Sequence, residues 1–276
     1  MLEILNDQTA LISQIVRVLH ERSDAAKIYI DNELNPQTSA GVLLLLGPGH
    51  NNTHQSDEPC LILNKRSIKV RQPGDLCFPG GSITPRIDSL LAKLFSLPIT
   101  SLGRWPFWPQ WKHDHPAEAG SLALLWATGL RESLEEMRLN PFGAKFLGPL
   151  PPQNLVMFQR KIYPVVAWIS RQKRFFPNWE VEKIIYIPLR KLLDPANYWC
   201  YRLTVKFSGG DDASNSTRDY PCFRIKNKNG IEILWGATFN ITTVFMEYIF
   251  GFKPPGLENL PVVEGTLDQT YLTGQK

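Results

Sequence analysis

No stretch of this sequence is apolar for long enough to cross a bilayer. The run from Gly41 to Gly47 is typical of those present, whereas a spanning helix needs about 20 consecutive apolar residues. Cysteine is scarce. Cys60, Cys77, Cys200 and Cys222 stand without metal-ligand spacing, so they read as reduced, mostly buried thiols. The opening residues show no secretory pattern. These absences point to a cytoplasmic chain with no membrane partner. Dense blocks of one charge are missing as well. The 30 lysines and arginines against 26 acidic residues leave a net charge of +4, which suits a small anionic ligand as readily as nucleic acid. Without a basic block, no nucleic acid partner is expected. No internal repeat is evident.

With 276 residues and 43% apolar content, the chain can bury a full core, and one domain with additions is expected. The stretch around which the rest is organised runs from Leu130 to Leu139. On a helix, Leu130, Leu134 and Met137 share one side while Glu132, Glu135 and Glu136 share the other. Glutamates at such spacing repel one another, so a cation must relieve them, and Mg²⁺ favours carboxylate and phosphate oxygens. Taken alone, the same residues make an ordinary solvated face, with Arg131 pairing Glu135 and Glu135 pairing Arg138. A second segment, Phe78-Pro79-Gly80-Gly81, tips the balance. Two adjacent glycines let backbone approach a ligand closely.

Together the two segments resemble the Nudix hydrolase superfamily, whose box reads G-x5-E-x7-R-E-U-x-E-E-x-G-U, with U a bulky aliphatic. Gly81 fits the opening glycine, and Arg131, Glu132, Glu135, Glu136 and Leu139 match the second half. An insertion over about residues 89–116 interrupts the box. Counted back from Arg131, Ala123 occupies the place of the first glutamate, and Ser133 replaces an aliphatic. Arg138 stands where the box has glycine, so the helix is expected to end differently, with Pro141 as the stop. Upstream, Ile62, Leu63, Arg66, Ser67, Arg71, Gly74 and Phe78 to Gly81 are similar to a pattern of the coenzyme A-cleaving branch. The interval from Arg71 to Gly74 is shorter than in that pattern and lacks its histidine.

The resemblance implies an α/β fold: a Nudix α/β/α sandwich with a mixed sheet, plus an N-terminal helix and the aromatic-rich insertion. Residues 1–38 would hold that helix and a connection, 39–250 the hydrolase domain, and 251–276 a loosely ordered tail. It also implies Mg²⁺- or Mn²⁺-dependent hydrolysis of a nucleotide pyrophosphate. Glu132, Glu135 and Glu136 would be metal ligands, Glu132, Glu136 and Arg131 the catalytic set, and Arg66, Arg71, Gly80 and Gly81 the substrate contacts. Coenzyme A or an acyl derivative is the favoured substrate. Another dinucleotide, a nucleotide sugar, or binding without cleavage are the alternatives. Glu180 or Glu182 could add a base or ligand from outside the box, although a plain strand explains them as well.

Elsewhere, Asp7 to Arg22 has helical spacing, with Asn6 or Asp7 as the cap. Short apolar runs at 41–46 and 60–63 suit a hairpin, and a short strand is expected at 28–30. The histidines His20, His50, His54, His113 and His115 read as structural. Lys161 to Ile169 reads as a core strand with Pro164 at a bulge or edge, and strands are expected at 198–207, 220–225 and 231–235. The segment Arg104 to Trp111 could form a lid over the substrate pocket, cover a homodimer partner, or pack as an apolar cluster.

Overall fold

Four consecutive leucines, Leu43 to Leu46, are fully buried in strand β1 (Ser39–His50), so both faces of this strand are covered. This is the central feature of a computed structural model that describes residues 2–25, 31, 34–50, 55–155, 159–172, 174–205, 216–227, 230–267 and 271. The expected strand at 28–30 lies outside the described residues, as do His54 and the stretches 206–215 and 228–229 between the strands expected at 198–207, 220–225 and 231–235.

β1 pairs antiparallel with β2 (Gln55–Arg66) and with β4 (Gly80–Ser82), and parallel with β7 (Arg160–Ile169). β2 carries β3 (Leu76–Cys77) and β8 (Val181–Pro188), while β7 carries β5 (Ala144–Pro149) and β6 (Gln153–Leu155). The result is an eight-stranded mixed sheet. A helix, α4 (Pro116–Met137), crosses β1 at Gly41, where an added Cβ would stand 2.7 Å from the Leu125 carbonyl oxygen. Helix α1 (Gln8–Ala25) packs on β5 and on α6 (Gly236–Phe250). Asp7 caps α1, its Oδ1 accepting from the Thr9 and Ala10 amides. The architecture is mixed α/β, as expected.

Four features depart from the sequence reading. Pro164 lies in a strand flanked on both sides, not at an edge. Its missing N–H is tolerated because β5 reaches only Val165 and β6 only Ile162, leaving that side of Pro164 unpaired by a strand. A second sheet, β11 (Gly230–Leu234), β10 (Ser216–Asn227), β9 (Tyr198–Val205) and β12 (Val262–Leu267), stands apart from the first. Its last strand comes from the segment expected to be loose; β12 runs parallel to β9 from Val262↔Cys200 to Leu267↔Val205. Beyond it, Tyr271 donates to Asp75 at 2.6 Å, and its carbonyl accepts from the Gln72 amide at 2.7 Å. Finally, α4 ends as a glycine-terminated helix would. Arg138 adopts φ 57° and ψ 37°, and bonds from Arg138 N to Leu134 O and from Leu139 N to Ser133 O close the last turn.

The insertion is part of the core. It forms α2 (Pro85–Phe95) and α3 (Trp108–Asp114), and Trp105, Trp108 and Trp111 are all buried. Trp105 meets Phe146 edge-on at 5.1 Å, and Phe107 stacks on His20 at 3.6 Å. Of the three readings of this segment, its tryptophans take that of the packed cluster.

Left-handed backbone at a residue with a side chain costs about 1–2 kcal/mol, a strain that glycine lacks at the expense of chain entropy. Arg138→Gly should therefore stabilise the protein by roughly 0.5–1 kcal/mol, raising the melting temperature by about 1–4 °C in a thermal scan.

Candidate functional site

Strand β4 begins at Gly80, whose φ of 149° is open to glycine. An added Cβ there would collide with the Gly41 carbonyl oxygen and with Val42. That close approach brings the Gly80–Gly81 turn against the last turns of α4. At Gly81 an added Cβ would stand 2.5 Å from the Glu132 carboxylate carbon. The turn and the glutamate helix therefore meet, although the chain detours through the insertion between them.

Glu136 is the most enclosed of the three glutamates Glu132, Glu135 and Glu136, being only 9% exposed. Asn64, at the end of β2, donates from Nδ2 to Glu136 Oε2 at 2.8 Å. The other end of that amide, Asn64 Oδ1, is buried without a hydrogen-bond partner among the described residues. Burial pushes the Glu136 carboxyl up to about 8. The charges of Glu132 and Glu180 push the same way, while a hydrogen bond from the Gly80 backbone and the charge of Arg66 oppose them. Glu132 is raised as well, first by burial, with Arg131 opposing and with Glu135 and Glu180 adding to the rise.

Glu180 arrives from the segment before β8. That segment is tied to α4 by Phe176 N to Met137 O at 3.0 Å and Asn178 N to Glu136 O at 2.8 Å. Its own backbone is held by Asn178 Oδ1 and by the Ser67 amide. Glu182 faces elsewhere, pairing with Lys65 at 3.4 Å. Glu135 is 56% exposed at its side chain and turns towards Arg131 at 3.3 Å. The charges of Glu132 and Glu180 thus act on Glu136, and those of Glu135 and Glu180 act on Glu132.

Arg131 is fixed by a residue that the sequence reading passed over. Asp88 on α2 is fully buried and accepts Arg131 Nε at 2.7 Å and Nη2 at 3.2 Å. The Thr128 hydroxyl and Thr84 amide complete its shell. Arg131 Nη1 then reaches Glu132 at 3.0 Å. Burial acts to lower the Arg131 pKa, but the hydrogen bond to Asp88 and the charges of Glu132, Asp88 and Glu135 outweigh it, so the guanidinium stays charged. Counting back from Arg131 leads to Ala123. Counting forward from Gly81 leads to within one residue of Asp88, and that is the signal that could have found it.

Arg66 and Arg71 part company. Arg66 Nε donates to the Arg71 carbonyl at 2.7 Å, and the Arg66 charge is felt at Glu136. The Arg71 side chain is exposed. The loop between them is clasped from outside by Asp75, which accepts from Trp235 Nε1 at 3.0 Å and from the Tyr271 hydroxyl. Burial raises the Asp75 pKa, and these two hydrogen bonds oppose the rise.

The donor chemistry suits a hard divalent cation, since burial penalises charge on Glu132 and Glu136 and an amide oxygen without a partner among the described residues lies beside Glu136. As placed, no three acidic, histidine or cysteine side chains among the described residues close on one point. Glu132 is drawn towards Arg131 at 3.0 Å and Glu136 towards Asn64 at 2.8 Å.

No family model matches the sequence, and no curated protein does. Solved structures do resemble it. A Nudix hydrolase from M. Smegmatis, RenU, aligns at TM-score 0.34 with 13% identity, over 58% of this chain and 75% of that one. A NUDIX hydrolase from Alicyclobacillus acidocaldarius gives 0.37 and 16%, over 58% and 83%. The NUDIX domain of Shewanella oneidensis NrtR, complexed with ADP ribose, gives 0.33 and 16%, over 62% and 85%. All three are Nudix structures.

A carboxyl whose pKa rises from 4.5 unfolded to about 8 folded binds its proton more tightly in the folded state. The stability it contributes is complete below pH 4.5 and is lost as pH rises through 8. In divalent-free buffer, melting temperature should therefore fall between about pH 5 and 8. Glu136→Gln should flatten that slope and melt above the parent at pH 8, as read by calorimetry across the range.

Proposed function

We propose that this chain is a Nudix-type pyrophosphohydrolase acting on a nucleoside diphosphate linked to a second group. The reading rests on the buried Glu136 under the charges of Glu132 and Glu180, on Glu132 lying against Gly81, and on Asn64 Oδ1, which has no donor among the described residues. Such a cluster suits Mg²⁺ or Mn²⁺, which when bound would offset the carboxylate charge and supply Lewis acidity towards phosphate oxygens. Glu132, Glu136 and Glu180 would hold the cation, with Glu135 adding charge from the margin.

Arg131 is a positioning residue, anchored by Asp88 and holding the Glu132 carboxylate. Arg66 forms no ion pair among the described residues, and its charge faces the cluster, so it suits a pyrophosphate oxygen. The missing side chains at Gly80 and Gly81 let β1 and the Glu132 carboxylate pack against the turn, whose backbone would lie beside the substrate. In the reaction, the oxygen of a water bonds to one phosphorus while the bond from that phosphorus to the bridging oxygen breaks. A carboxylate takes the water's proton. Glu180 is the better placed of the two acids outside the box, because Glu182 is engaged by lysines.

Coenzyme A or an acyl-coenzyme A is the favoured substrate, on the strength of the Ile62-to-Gly81 pattern. Other dinucleotides and nucleotide sugars stand behind it. Binding without cleavage is the rival reading, since Glu132 is held off by Arg131.

Purified protein with Mg²⁺ should release phosphorylated products from at least one of coenzyme A, ADP-ribose and diadenosine tetraphosphate. Glu136→Gln should lower kcat by 10²-fold or more, by analogy with the loss of other preorganised electrostatic groups. Substrates that bind yet stay intact would turn the reading to the binding protein. Cation binding has its own measure: Mg²⁺ or Mn²⁺ should raise the melting temperature of the parent more than that of Glu136→Gln.

A further inference from the structure

A groove of about 430 Å³ lies between α2, α3 and the N-terminal half of α4. Its walls are mainly Ala92, Trp108, Ala119, Ala123 and Leu124, and the only charged residues that line it are Lys93 and Lys112. Neither lysine forms an ion pair among the described residues, and no carboxylate lines the groove. Trp108 is only 5% exposed, and its indole Nε1 has no acceptor among the described residues. α4 opens onto this space at Pro116 without a side-chain cap, which adds the positive end of a long helix to the two ammonium groups.

Gly120 makes the space conspicuous. It sits inside α4, where glycine costs roughly 1 kcal/mol against alanine. Yet a Cβ added there would meet no atom within 4 Å. Packing does not require the glycine; its missing side chain widens the groove.

We propose that this groove binds a small amphiphilic anion, a hydrocarbon body lying against Trp108 and Leu124 with its carboxylate or phosphate between Lys93 and Lys112. Its size falls within the range of small-molecule sites, and an apolar wall with a few convergent polar groups is the usual composition of one. The groove is separate from the carboxylate cluster. Gly120 stands about 18 Å from Glu132 along α4, and the inference is independent of the hydrolase reading.

Decanoate, titrated into the full chain below its micellar concentration and followed by calorimetry, should bind saturably at one site per chain. Decanol should bind at least tenfold more weakly. Gly120→Leu, which fills the groove from a position with open space, should abolish binding while circular dichroism and melting temperature hold. Should that variant fold poorly, the Lys93→Glu/Lys112→Glu pair, altering exposed or rim residues, should weaken decanoate at least tenfold and narrow its margin over decanol. Absence of saturable binding would overturn the proposal, as would equal affinity for decanol or full affinity in a folded Gly120→Leu. A dimer of the parent that Gly120→Leu dissociates would assign the groove to a second copy and overturn it too.

Discussion

Mutual repulsion among carboxylates in a space that excludes water is the constraint to which the rest of this structure answers. Glu132 and Glu180 raise the cost of charge on Glu136, Glu180 raises it on Glu132, and burial is the larger cause at both. A helix bearing such acids would turn them to solvent if it could. It does not, because the opposite side of α4 is committed to the core. Leu122, Leu125, Trp126 and Leu130 are fully buried, and Gly41 lets the helix settle closely on β1. The hydrophobic packing of α4 is what holds the acids in place, and the local protonation equilibrium or a bound cation must absorb the consequence.

The insertion that interrupts the sequence pattern supports this arrangement. Asp88, on the first helix of the insertion, makes four hydrogen bonds, two of them to Arg131. A buried carboxylate so fully paired is costly to disturb, since removing either partner leaves a charge without compensation. Trp105, in the insertion, packs against His20 of α1 and Phe146 of β5, which joins the detour to the main core.

The C-terminal segment has a comparable part on the other side of the cluster. β12 joins the second sheet, and Tyr271 and Trp235 share the two oxygens of Asp75. The loop from Arg66 to Asp75 is thus held between the two sheets. Arg66, whose Nε donates to the Arg71 carbonyl within that loop, acts on Glu136 through its charge.

Composition and periodicity were enough to reveal α1, α4, the β1–β2 hairpin and the Gly80–Gly81 turn, because each rests on interactions between residues close in sequence. The box pattern also named Glu132 and Glu136. What sequence could not supply was the partnership of distant residues. Asp88 holds Arg131, Glu180 acts on Glu132 and Glu136 from outside the box, and residues 262–267 became a strand instead of a tail. Arg138 shows the same limit at a single residue, taking a glycine's conformation because the following chain must turn back to β5. Local chemistry determined which side chains were capable of acting; only the packing of helices and sheets, which sets distances between remote residues, decided which of them stand together.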